Sequence, residues 1–180
     1  ALESDYDVIM PDVRGHGKSS PMVYQLQRDQ MADDVLDLVE ALGIGRDLRV
    51  IGHSMGADIA GRLATKIDLE GLILVDPALR NFPKLLKLDT GEMPSWMEPI
   101  IDTMKSLKSL PHQQRMIEGL KLIQPTAPLW DEIDYVTFIE ANAQFETSNY
   151  MHFMKTEFLI EQPNVIGKIA CPTLLLSAKQ

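Results

Sequence analysis

A short apolar run, Leu48-Arg49-Val50-Ile51, ends in Gly52-His53-Ser54-Met55-Gly56-Ala57 and flows straight into a stretch with helical spacing. This Gly-x-Ser-x-Gly junction constrains the chain more than any other feature. A serine hydroxyl is a weak nucleophile, and a sharp strand-to-helix turn lifts it clear of the backbone and points it at a base. On this reading Gly52 and Gly56 are both steric requirements, because a Cβ at either place would meet the strand or the following helix. The amide of Met55 then stands at a helix N-terminus, aimed where an oxyanion would form on a substrate carbonyl. The five-residue motif is weak by itself, and its context supplies the weight. Leu48, Val50 and Ile51 provide the strand, and Ile59, Leu63 and Ile67 recur at four-residue spacing to predict a helix running through Ile67.

The rest of the chain is arranged around that junction. Tyr6 to Pro11 is a mostly apolar strand candidate, as expected of a strand covered on both faces, and a glycine-containing loop, Asp12 to Ser20, follows it. Gly15-x-Gly17 does not complete a phosphate-binding fingerprint, since the third glycine is Ser20 and Pro21 prevents a helix from opening there. Met31, Val35, Leu38, Val39 and Leu42 share a helical face that Gly43 closes, with Asp29, Asp33 and Asp34 placed where negative charge suits the helix dipole. Glu70 to Pro77 reads as another buried strand with an acid, Asp76, at its end. Strand, helix, strand, helix, strand predicts an α/β fold with a doubly wound, mostly parallel sheet. Such sheets bind ligands beyond their C-terminal strand ends, where Ser54 and Asp76 both fall.

Between residues 79 and 167 prolines recur and the intervening segments carry helical spacing, including Ile100, Met104 and Leu107, then Met116, Leu120 and Ile123. Ile133 to Ala143 and Tyr150 to Ile160 complete the set. Six of the ten methionines and both tryptophans, Trp96 and Trp130, lie in this segment. That composition predicts a helical cap over a cleft for a small, partly apolar substrate, or a helical subdomain packing its own core. Ile169 to Ser177 returns to buried-strand character. The expected organisation is a core over 1–78, a cap over 79–167 and a return strand over 168–180, with both ends of the chain looking cut.

Composition removes several classes of function. A formal net charge of -9 offers no basic stripe for nucleic acid or anionic lipid. No apolar run reaches the length of a membrane span, and Ala1 to Asp7 lacks the layout of a signal peptide. The single cysteine, Cys171, suits a reducing, cytoplasmic setting. No His-x-x-x-His or Cys-x-x-Cys cluster suggests a metal, and nothing suggests a nucleotide or flavin, so no cofactor is expected.

Four motifs in register carry a resemblance: Asp12-x-Arg14-Gly15-His16-Gly17-x-Ser19, Gly52-His53-Ser54-Met55-Gly56, Leu72 to Pro77, and Cys171 to Leu176. Together they resemble the fourth to seventh strands of the α/β-hydrolase superfamily, in its serine-nucleophile, lid-containing branch that includes N-formylmaleamate deformylase-like and esterase-like enzymes. The resemblance implies Ser54 as nucleophile and the Met55 N–H as an oxyanion donor, acting through an acyl-enzyme on an ester, amide or C–C bond. The acid in this family usually follows the seventh strand, and in a minority the sixth. Asp76 occupies the latter place, where a structural aspartate is also common. The base should follow an eighth strand, which is absent along with the second oxyanion donor. Among the histidines present, the family likeness gives His16 a structural role, His53 should point away from Ser54, and His112 and His152 belong to the cap. A hydrolase-fold binding or receptor module is the alternative from a different class.

Overall fold

The computed structural model describes residues 2–44, 47–77, 94–95, 97–158 and 165–177. Three parallel strands, β1 (Arg49–His53), β2 (Gly71–Val75) and β3 (Thr173–Leu176), form a sheet in the order β1-β2-β3. Helix α1 (Arg28–Ala41) precedes β1, and α2 (Met55–Leu63) connects β1 to β2. Then come α3 (Met97–Ser109), α4 (His112–Ile123), α5 (Glu132–Gln144) and a short α6 (Tyr150–Phe153), which continues as a π-helical turn over Met154–Phe158.

Local signals explain the helix limits. The Gln30 side chain accepts the Gln27 N–H at 2.8 Å to open α1, and Gly43 follows its end at φ 65°. Asp131 and Asp134 cap α5 reciprocally. Helix α2 stops at Leu63, earlier than its apolar spacing predicts, and residues 64 to 66 unwind as turns. Small residues let α2 lie close on the sheet: Ala57, Ala60 and Ala64 pack on Leu72 and Leu74, which are 2 % exposed. Each such leucine contributes about 1.5–3 kcal/mol of burial energy. The opposite side of α2 presents Ile59 to a second core, built with Met22, Met31, Met97, Phe145 and Phe153, that joins α1 to the helical segment.

Two strand expectations are corrected. Tyr6 to Pro11 forms no strand, and Val8, Ile9 and Met10 are exposed. A strand needs a hydrogen-bonded neighbour, and β1 pairs only with β2 among the described residues. This segment is tied to the sheet at Tyr6, whose hydroxyl accepts a bond from Arg49 at 3.2 Å. β3 does pair with β2, from Leu72↔Thr173 to Val75↔Leu176, but it is an exposed edge and not a buried strand. Helix α2 lies across β1 and β2, leaving Leu174, Leu175 and Leu176 each about half exposed.

Candidate active site

The parallel register of β1 and β2 ends at His53↔Val75, and one step further the Ser54 N–H donates to the Val75 carbonyl at 2.9 Å. The chain then turns sharply, with Ser54 at φ 51° and ψ -116°, and enters α2. Left-handed backbone of this kind costs a non-glycine residue about 1–3 kcal/mol and persists only where its surroundings fix it. Here the Ser54 carbonyl accepts from Ala57 at 3.0 Å and Asp58 at 3.2 Å, so both backbone polar groups of the residue are held. A serine in the N-cap position commonly bonds its hydroxyl to the helix N–H groups. Ser54 makes no such side-chain cap, and the residue is exposed.

Gly52 is a steric necessity. A Cβ there would lie 2.3 Å from the Gly56 carbonyl oxygen and 2.7 Å from the Ala57 Cα, both backbone atoms. Gly56 corrects the sequence reading, because a Cβ on it meets nothing within 4 Å. The first turn of α2 presents its backbone, not the Cβ position of Gly56, to the strand. Met55 is the first residue of α2, so its N–H precedes any intrahelical acceptor, and its side chain packs into the methionine-rich core.

Asp76 stands one residue beyond β2, exposed, at φ 46°, with its N–H on the Leu176 carbonyl at 2.8 Å. Ser54 and Asp76 are therefore neighbours at the C-terminal ends of adjacent strands, whose backbones run about 4.8 Å apart. The fold brings Ser54, Met55 and Asp76 to one edge of the sheet. It does not bring Trp130 to them by any direct contact: this 40 % exposed ring packs within the helical segment, 5.8 Å from Tyr135 and 5.3 Å from Phe138 between centroids. Trp96 lies outside the described residues.

Three of the four histidines are engaged elsewhere. His16 Nδ1 lies 3.2 Å from the Arg14 carbonyl and its ring is 4.7 Å from Phe145. His112 meets Glu140 at 3.0 Å, and His152 stacks on Tyr24 at 4.2 Å. His53 is exposed on β1. The loop bearing His16 docks the helical segment, since the Gly15 carbonyl accepts from Glu146 N–H at 2.8 Å. Arg14 is locked by two bonds to Asp34, which raise its pKa. Gly17, at φ 53°, faces the Asp12 carboxylate closely enough that a Cβ would overlap it.

One buried feature went unread in the sequence. Asp58, 2 % exposed, accepts from Arg28 at 3.0 Å and from Arg62 at 3.2 Å, and Arg62 also reaches Asp29 at 2.7 Å. Burial pushes the Arg28 guanidinium below its ordinary value against the pull of Asp58. Three acids of α1 also make ion pairs: Asp29 with Arg62, Asp33 with Lys66 and Asp34 with Arg14. Asp58 and Arg62, four residues apart among Ala57, Ile59, Ala60 and Leu63, were the available signal.

A sequence profile of the alpha/beta hydrolase fold matches residues 1–152. The chain belongs to the α/β-hydrolase fold family. Lipase 3 of Moraxella sp. (strain TA144) is 37% identical over 76 residues, which are 41% of this chain and 24% of that protein. A thermophilic esterase from Thermogutta terrifontis, solved with malate bound, superposes with a TM-score of 0.55 at 24% identity, covering 98% of this chain and 62% of that one. A putative aryl esterase from Burkholderia cenocepacia gives a TM-score of 0.61 at 16% identity, over 92% of this chain and 58% of that one. These likenesses in structure establish the α/β-hydrolase fold, and the chain spans about three-fifths of those solved relatives and a quarter of the lipase. Among the described residues no helix is long and apolar enough to cross a membrane.

Proposed function

We propose that this chain carries the nucleophile portion of a serine hydrolase site, acting on an ester, amide or C–C bond of a small, partly apolar substrate. One observation carries the reading: Ser54 is held in left-handed backbone at a strand-to-helix turn, with its hydroxyl not spent on capping the helix. Ser54 Oγ attacks the carbonyl carbon and loses its proton to a base, while the Met55 N–H receives charge on the carbonyl oxygen. Collapse of that intermediate expels the leaving group with a proton from the base and leaves an acyl-serine, which water cleaves by the same steps. Asp76, beside Ser54 at the neighbouring strand end, is the candidate acid that orients the base. The base is not assigned to any of the four histidines, three of which have partners elsewhere. Residues 79–167 are proposed as the cap.

The test uses the full-length protein with short p-nitrophenyl esters and a fluorophosphonate probe. Turnover and probe labelling that both vanish in Ser54→Ala support the reading, and a further collapse in Asp76→Asn assigns the acid. Equal turnover in wild type and Ser54→Ala would sink it.

A further inference from the structure

Seven of the ten methionines gather in the core that joins α1 and α2 to the helical segment. Burial divides them. Met22 and Met31 are at most 2 % exposed, and Met97 and Met154 are buried as well. Met55, Met104 and Met151 pack on the margin of this core and keep part of their surface in solvent. A thioether is readily oxidised by peroxides where solvent reaches it, so these three are open to a reaction that the buried four are shielded from.

Met55 differs from the other two in its position. It follows the exposed Ser54 and opens α2, so a single residue packs its side chain on the core and holds its N–H where charge would form on a bound carbonyl. The backbone around it has little slack. The Gly56 carbonyl lies so close to Gly52 that a Cβ on Gly52 would meet its oxygen at 2.3 Å, and the Ser54 carbonyl is held by the Ala57 and Asp58 N–H groups. A change in what the Met55 side chain can pack against is therefore passed to the turn.

Oxidation makes that change. The sulfur lone pair attacks one oxygen of hydrogen peroxide; an S–O bond forms, the O–O bond breaks, and the departing oxygen takes up the proton of the attacked one and leaves as water. The sulfur gives up two electrons and the peroxide accepts them. The product is a polar sulfoxide whose oxygen requires a hydrogen-bond donor. Side chains of this core such as Ile59, Phe145 and Phe153 have none to give. The oxidised side chain then turns out to water and draws the first turn of α2 with it.

We propose that Met55 is a modification site, at which hydrogen peroxide forms the sulfoxide, displaces the start of α2 and reversibly switches off the Ser54 centre. The displacement stands on packing, and the loss of turnover rests on the serine-hydrolase reading.

The test treats the full-length protein with hydrogen peroxide and follows, over time, the gain of one oxygen at each methionine by peptide mass spectrometry. Met10, 84 % exposed, should oxidise early without loss of turnover. Met55 sulfoxide should then rise ahead of Met22 and Met31, in step with a loss of p-nitrophenyl acetate turnover of at least about tenfold. Methionine sulfoxide reductases with a dithiol, which leaves as the disulfide while the oxygen leaves as water, should restore the rate. Met55→Leu, measured against its own starting rate, should keep its turnover through the treatment. If that variant does not fold, Met104→Leu and Met151→Leu should still lose turnover as Met55 oxidises. Oxidation of Met55 no faster than of Met22 and Met31, full oxidation with Ser54-dependent turnover intact, or equal inactivation of Met55→Leu overturns the proposal. Absence of any Ser54-dependent turnover removes the catalytic reading, and the urea midpoint then decides on the displacement. A fall that tracks Met55 sulfoxide and is missing in Met55→Leu upholds it, and an unchanged midpoint overturns it.

Discussion

The two motif glycines should respond to alanine in opposite directions. In Gly52→Ala the new Cβ starts 2.3 Å from the Gly56 oxygen, 2.6 Å from its carbonyl carbon and 2.7 Å from the Ala57 Cα. None of these is a flexible side-chain end, so β1 and the first turn of α2 must part by about 1 Å to restore ordinary contact. Overpacking of this kind costs about 1–3 kcal/mol, and the parting moves Ser54 relative to the Met55 N–H. A misplacement of that size lowers turnover by about 100-fold. In Gly56→Ala the Cβ meets nothing within 4 Å, and Gly56 lies within the helix. Replacing a helical glycine by alanine then stabilises by about 0.5–1 kcal/mol. Urea denaturation of both variants, with ester turnover measured alongside, gives the sign and size. Equal destabilisation by the two substitutions, or a neutral Gly52→Ala, would refute the packing argument.

Three further outcomes are expected. Ser54→Gly removes left-handed strain worth about 1–3 kcal/mol and adds about 0.5–1 kcal/mol of chain entropy cost, so thermal unfolding should shift upward while ester turnover disappears; a lowered midpoint would contradict the strain. Asp58→Ala strips Arg28 and Arg62 of the carboxylate they share in a buried setting and should cost about 3–5 kcal/mol by urea denaturation, and a loss under 1 kcal/mol would show the cluster to be idle. Burial alone would raise the Glu146 carboxyl, but bonds from the Ser148 hydroxyl and the Ser148 and Asn149 N–H groups, with Lys108 nearby, hold it below its ordinary value. A depressed carboxylate contributes stability that is full above its unfolded pKa and lost as pH falls through the lower folded one. Glu146→Gln should therefore weaken the protein at pH 7 and match wild type in strong acid; a constant gap across that range would remove the linkage.

What was legible in the sequence is what depends on neighbours along the chain. The strand-to-helix turn at Ser54, the existence of β2 and the position of Asp76 near its end all follow from local apolar runs closed by Gly, Ser or Asp-Pro. The fate of Tyr6–Pro11 depended on a partner strand, and residue spacing carries no information about whether one is present. The same holds for β3, whose apolar sequence describes a strand suited to burial while its cover depends on helices from elsewhere. Asp58 and Arg62 were visible as a pair, but Arg28 reaches them across 30 residues of sequence. Gly56 failed for a different reason: a motif states which residue stands at a place without stating which atoms surround it.

The same non-local contacts explain how a strained serine is kept. Ser54 gives its N–H to Val75 on the neighbouring strand and its carbonyl to Ala57 and Asp58 of its own helix. Asp58 in turn fastens α2 to α1 through Arg28, and the Arg28 backbone N–H reaches Glu157 beyond α6 at 3.2 Å. Sheet and α2 thus converge on one residue whose backbone cannot relax without breaking bonds in both, and Arg28 ties α2 onward to α1 and to Glu157. The strain is local at Ser54 and its restraint is distributed. It follows that substitutions at Asp58 or Arg28, which never approach a substrate, should slow turnover in proportion to the freedom they return to Ser54, whereas changes to the exposed edge of β3 should not.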